Sequence, residues 1–337
     1  MSRNAVMGGV LLLTTGLLAG WILHAGTSEP AEASGEVERG QIRGVRLTSP
    51  FIEPPGARDS DTRLTRIRGR VADQVAEARR ADPTLSVSVY VRDLETGAWM
   101  GLDEDRGYVP ASLMKVAVLF HSLERIEADP GFADSTRHYP GAEEMRSPEN
   151  LWGDAAVHRM RAGQAYPVRE LIERMLVHSD NHAKDLLLAG VPTSTIDSLM
   201  ARLDVPAPFD EVGRALMTAR KYTAHYPVHY NSSVFSRRTA ELAQELLSVA
   251  DFERGMRSGV PPGVTVASKF GIHFDGADLD AGQQLHECGI VYAPPRPFTL
   301  CIMTQSLLAP APVLSDLVAD ITRSAWDGMT ASRPVSG

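Results

Sequence analysis

Apolar residues recur at helical spacing between residues 61 and 80, at Leu64, Ile67, Val71, Val75 and Ala78, with charged residues between them. That period buries one face of a helix, and Asp82-Pro83 ends it. Residues 85–91 alternate as a strand does. Asp93-Leu94-Glu95-Thr96-Gly97 supplies a turn, and residues 98–102 return as the second arm of a hairpin. A loop from Asp103 to Pro110 leads into Pro110-Ala111-Ser112-Leu113-Met114-Lys115, the start of an apolar helical run reaching Ile126.

From residue 129 to about 257 the pattern is mostly helical and broken by prolines. It predicts helices over 168–177, 182–189, 194–203, 219–226 and 236–248, the last turning Leu242, Leu246 and Leu247 inward. Strand character returns at 264–270, 288–292 and 298–304. A helix over 314–326 closes the folded part, and 330–337 fray. A helix and hairpin first, a helical segment second, three strands and a helix last place both ends of the chain in one antiparallel sheet. The expected fold class is α+β, a sheet flanked by the terminal helices with an all-helical lobe inserted between its halves.

The N-terminus departs from this pattern. The 21 residues from Ala5 to Ala25 carry no formal charge and follow Arg3. As a helix they span about 30 Å, a bilayer core. Residues 1–26 are therefore expected to anchor the chain in the inner membrane, with everything downstream extracytoplasmic by the positive-inside rule. The alternative is a cleaved signal with its exit at Ala31-Glu32-Ala33 and a secreted product. Residues 27–60, rich in Glu, Gly, Pro, Ser and Arg, read as a tether, which leaves 61–328 as the folded domain.

Composition excludes several classes. A net charge of −8 over 337 residues argues against nucleic acid as a partner. Two cysteines are too few for a disulfide framework or a cysteine-based zinc site. The expected molecule is a monomer that acts on a small molecule.

Ser112 and Lys115 stand three residues apart, on one face of a helix. A lysine stripped of water by apolar neighbours loses basicity, and its neutral amine accepts a serine proton. By itself the pair equally fits an ordinary helix with a surface lysine. Ser179-Asp180-Asn181 follows 67 residues after Ser112, in a turn between two helices, and Lys269-Phe270-Gly271 another 90 residues on, in a strand. In this order, on a sheet–lobe–sheet chain, the three match the S-x-x-K, S-D-N and K-T-G set of class A β-lactamases and penicillin-binding proteins. Met217-Thr218-Ala219-Arg220, the segment from Val249-Ala250-Asp251-Phe252 to Pro261, Val266 to Gly271 and Cys288-Gly289-Ile290-Val291-Tyr292 also resemble that serine hydrolase family, over about residues 60–328.

The resemblance implies roles. Ser112 is the nucleophile acylated by a β-lactam or amide carbonyl, and Lys115 activates it. Ser179 passes a proton to the leaving nitrogen, its hydroxyl bridging Lys115 and Lys269. Asn181 holds the substrate amide, and Lys269 attracts the substrate carboxylate. The backbone N–H groups of Ser112 and Ile272 form the oxyanion hole, and Gly271 leaves room along the strand edge. No metal or organic cofactor is implied.

Two departures stand out. Phe270 replaces the hydroxyl residue usual in the third motif. The stretch 206–216 is short and lacks the loop glutamate that frees the acyl group in class A enzymes; Asp210 and Glu211 are its only acids, each either a deacylation base or part of a solvated turn. Hydrolysis of β-lactams therefore competes with cleavage of D-alanyl peptides in peptidoglycan, and a non-hydrolytic sensor is the rival of another class. Among other residues, His178 and His182 are four apart but lack a third metal ligand by spacing. Tyr108 fits either the mouth of the cleft or packing, His273 either substrate contact or an exposed strand edge, and Trp99 and Trp152 fit packing. Cys288 and Cys301 flank the hairpin around Pro294-Pro295, either bridged or as separate buried thiols.

Overall fold

A computed structural model describes residues 61–147, 158–202, 216–274 and 282–331. The expected anchor and tether lie outside these residues, as do Trp152, Asp210 and Glu211. Among the described residues, no helix is long and apolar enough to cross a membrane.

The chain starts with α1 (Thr62–Ala81), capped by the Asp61 carboxylate on the Arg63 N–H. A hairpin of β1 (Ser86–Asp93) and β2 (Trp99–Leu102) follows. A tight 3₁₀ turn, Ala111–Met114, then leads into α2 (Lys115–Ala128). The run expected as one helix from Ser112 thus begins as a turn, in which residues i and i+3 eclipse. Ser112 and Lys115 still share a face.

The lobe comprises a short ribbon of β3 (Thr136–His138) and β4 (Ala165–Pro167), then α3 (Val168–Val177), α4 (Asn181–Leu187), α5 (Thr193–Arg202), α6 (Ala219–Thr223), α7 (His225–Tyr230) and α8 (Arg237–Ser248). The single helix expected over 219–226 is two helices broken at Ala224. Pro227, inside the second, has no N–H to donate, and its ring crowds the carbonyl four residues earlier. In α8 the inward face is Ala240, Ala243, Gln244 and Leu247, while Leu242 points outward and is 40% exposed. The small residues at that spacing let the helix lie close to the sheet, where a leucine row would hold it away.

The chain returns in three nine-residue strands, β5 (Val266–Phe274), β6 (Gln283–Val291) and β7 (Phe298–Ser306), and ends in α9 (Ala311–Thr330). These three strands and the first hairpin form one antiparallel sheet in the order β2-β1-β7-β6-β5. The middle strand, β6, outruns the apolar pattern because the residues that extend it, Gln284, His286 and Glu287 among them, are polar and buried. The Thr304 hydroxyl donates to Leu285 O, His286 Nε2 bonds Val109 O, and the Glu287 carboxylate accepts from Met256 N and Ser268 Oγ. Cys288 and Cys301 face each other in register on β6 and β7 and are joined by a disulfide.

The sheet separates two cores. Val87, Val89 and Val91 of β1 face α1 and α9, joining Leu64, Ile67, Val71, Leu314, Val318 and Ile321. Tyr90 faces the lobe, with Leu119, Phe120 and Leu171.

Inside the lobe core, His225 and His229 are fully buried against Phe120, Tyr222, Tyr226 and Phe235. Their ring nitrogens have no hydrogen-bond partner among the described residues. Burial holds His225 well below the usual imidazole range and His229 down to about 3; His286, also buried, is down to about 4. The unfolded chain therefore binds protons the folded one refuses, and stability falls as pH drops below about 6.5 toward 4. Thermal unfolding followed across this window is expected to show that loss, and His229→Phe, which keeps a ring on Phe120, is expected to make it shallower.

Candidate active site

Two local features place the serine and the lysine. Pro110 starts the 3₁₀ turn, Ala111 takes a left-handed φ of 48°, and the Tyr222 hydroxyl donates to Leu113 O at 3.0 Å. Lys115, the first residue of α2, points its side chain into the sheet–lobe junction and is 2% exposed. Its Nζ lies 3.0 Å from Ser112 Oγ, 3.0 Å from Ser179 Oγ and 2.8 Å from Asn181 Oδ1, and also bonds Ser179 O.

The Ser179-Asp180-Asn181 stretch turns from α3 into α4. Ser179 is buried with φ of 54°, a conformation non-glycine residues seldom adopt. Asp180 caps α4, its Oδ1 accepting from His182 N at 2.8 Å and Ala183 N at 3.1 Å. The cap fixes the turn so that Ser179 and Asn181 both reach the lysine.

The third motif lies on β5, the edge strand of the sheet, whose outer row of backbone groups faces the Ala111–Met114 turn. Gly271 is required there. A Cβ at this position would sit 3.0 Å from Pro110 O and 3.1 Å from Ser112 N. Lys269 is fully buried and donates to Phe270 O at 3.1 Å. The Phe270 ring stacks on Phe252 at 4.4 Å and belongs to the core facing the terminal helices, so the residue in the hydroxyl position does packing work.

The electrostatics follow from burial. Lys115 is held well below the usual lysine value of 10.5, first by desolvation and then by the charges of Lys269 and Lys184. Desolvation brings Lys269 down to about 7 against the opposing pull of Glu287, whose own carboxyl is raised to about 7 by burial. A neutral amine at Lys115 donates two hydrogen bonds and keeps a lone pair, so it can accept a proton from Ser112.

A cavity of about 540 Å³ opens from this centre, lined by Ser112, Lys115, Asn181, Lys184, Ile272 and His273 among others. Ser112, Ser179 and Asn181 thus meet at the Lys115 amine, with Gly271 against the Ser112 turn and Ile272 on the cavity wall, whereas the buried Lys269 bonds Phe270 O and does not line that cavity. Sequence reasoning did not foresee Lys184, Arg146 and Ser147 along the cleft. Lys184 follows Asn181 by three residues on α4, which was the available signal; its Nζ reaches Ser147 Oγ at 2.9 Å and Asp185 at 3.0 Å. Tyr108 packs inside, its hydroxyl 3.1 Å from Ser88 Oγ. Trp99 stacks on Tyr90. His182 is buried, with Nδ1 3.0 Å from Tyr139 OH and Nε2 3.1 Å from Ser147 O. His178 turns instead to Asp251.

The sequence matches the model of the β-lactamase enzyme family over residues 70–329. The chain belongs to that family. Solved structures agree in fold at low identity. A class A β-lactamase from Bacteroides cellulosilyticus superposes with a TM-score of 0.68 at 13% identity, covering 81% of this chain and 100% of that one. A β-lactamase from Chitinophaga pinensis gives 0.66 at 18%, covering 77% and 98%. An acyl-enzyme complex of a point mutant of PBP-A with penicillin G gives 0.65 at 17%, covering 81% and 98%. A comparison with curated proteins gives no match.

Replacing Gly271 by valine forces the family's third motif away from the Ser112 turn. We expect it to lower stability by about 1–3 kcal/mol in urea unfolding.

Proposed function

We propose that this β-lactamase-family protein is a serine acyl-transfer enzyme that opens β-lactams or related amides through an ester on Ser112. The observation that carries the reading is the buried Lys115 amine, 3.0 Å from Ser112 Oγ and depressed in basicity by desolvation. In the proposed reaction Ser112 Oγ attacks the carbonyl carbon and its proton passes to Lys115 Nζ. Backbone N–H groups of Ser112 and Ile272 hold the oxyanion. The C–N bond then breaks, and the proton reaches the leaving nitrogen through Ser179, 3.0 Å from the same Nζ. Asn181 orients the substrate amide and Lys269 its carboxylate. Water finally cleaves the ester, with Asp210 or Glu211 as candidate base.

A second reading is a penicillin-binding enzyme for D-alanyl peptides, in which the acyl group leaves slowly. It is favoured by the short 206–216 stretch and by the fold's likeness to PBP-A, a point mutant of which is seen acylated by penicillin G. The uncharged run 5–25 supports placing either activity outside the inner membrane, with the chain tethered to it.

Incubating the full chain with a chromogenic cephalosporin and a labelled penicillin tests the proposal. Label is expected on wild type and absent from Ser112→Ala; equal labelling of both removes Ser112 as nucleophile. Sustained colour means hydrolysis, and one equivalent of label without turnover means the second reading.

The acylation rate with penicillin is also expected to fall above about pH 7, where Lys269 loses its charge. Raising the pH can only deprotonate Lys115 further, so an activated ester lacking a carboxylate should show no such fall in stopped-flow measurements. A parallel decline for both substrates would remove Lys269 as the carboxylate site.

A further inference from the structure

Outside the cleft, the outer end of α3 gathers three side chains that the proposed chemistry does not use. Ligand atoms of His158, His178 and Asp251 all lie within 4.8 Å of one another. His178 Nδ1 bonds Asp251 Oδ2, and the His158 ring lies over the His178 ring with centroids 3.8 Å apart. We propose that these three residues bind a divalent transition-metal cation of the zinc class, at the base of the Ser179 turn.

The donor set selects the cation. Two imidazoles and one carboxylate form a nitrogen–oxygen site suited to zinc, whereas magnesium and calcium ask for oxygens alone. Zinc holds such donors at about 2.0–2.2 Å, so closing the triangle takes rotation of the His158 ring out of its parallel stack on His178; water completes a tetrahedron.

The framework is held by backbone ties to one helix end. His178 is the C-cap of α3, its N–H bonding Arg174 O at 3.1 Å. Asp251 N donates to Val177 O at 3.0 Å. His158 is fixed through its carbonyl, which accepts from Arg174 Nη1 at 2.7 Å. Three distant segments are thus brought to the same helix terminus independently of any contact among the three side chains. The C-terminal end of a helix carries partial negative charge, which favours a cation there. The nearby Arg174 charge is compensated by Glu170 at 2.8 Å.

The placement gives the ion a consequence. His178 immediately precedes Ser179, whose left-handed backbone is set by the turn between α3 and α4. A cation joining His178 to Asp251 and His158 ties that turn to two further segments, and its binding therefore stabilises the folded chain.

The test is calorimetric titration of the metal-stripped full chain with zinc chloride. One tight equivalent is expected, together with a raised thermal midpoint. His158→Ala and Asp251→Ala, both substitutions of surface side chains, are each expected to weaken binding by at least about ten-fold. His138→Ala, an exposed histidine elsewhere on the lobe, should bind as wild type does. Circular dichroism of the metal-free variants checks that they fold. Replacing zinc with cobalt should give the intense visible absorption of a tetrahedral centre, lost in His158→Ala. Absence of a tight equivalent, or binding unchanged in His158→Ala and Asp251→Ala, overturns the site.

Discussion

The arrangement depends on one amine kept away from water. Lys115 enters the junction between sheet and lobe as the first residue of α2, and four oxygen acceptors from two other residues and from Ser112 surround its Nζ. Transferring an ammonium into such a place is costly, so burial shifts the balance toward the neutral amine. Much of the surrounding fold serves this condition. The lobe closes one side, the sheet closes the other, and Lys269 and Lys184 add positive charge that disfavours a proton on Lys115.

Holding the amine fixes the geometry of its partners. Ser112 shares its face because a 3₁₀ turn eclipses residues three apart. Ser179 and Asn181 reach it because Asp180 caps α4 and the backbone at Ser179 turns left-handed. Gly271 lets the edge strand approach the turn to within contact distance of Ser112 N. These are separate local devices, each legible in physical terms, and they meet at one nitrogen.

The parts of the chain that could be read from sequence were those whose pattern follows from one element and one face. α1, the first hairpin and α9 are amphipathic or alternating, and their cores are aliphatic. The middle returning strand, β6, is longer than its apolar run, since Gln284, His286 and Glu287 are buried with partners supplied by other elements. Leu242 was misplaced for the converse reason: α8 packs on alanines, which a hydrophobic count undervalues. At the site, the motif residues were recognisable by type, order and resemblance. Lys184, Arg146 and the Tyr222 support for the turn were not, because their relevance arises only when the lobe folds onto the sheet. The contact between His178 and Asp251 spans 73 positions in sequence, and no local spacing announces it.

Family membership suggests hydrolase chemistry, and the buried charges near Lys115 constrain the proposed reaction further. Burial lowers the proton affinity of both lysines, the charge of Lys269 lowers that of Lys115 further, and the Glu287 carboxyl that interacts with Lys269 is itself pushed up to about 7. Near neutral pH the site therefore lacks a firm counter-charge for Lys269. An anionic substrate supplies one. In the proposed reaction its carboxylate would favour the protonated form of Lys269, and that restored charge would in turn disfavour a proton on Lys115. Binding and activation are then coupled through the same pair of lysines, so a carboxylate on the substrate serves the chemical step as well as recognition.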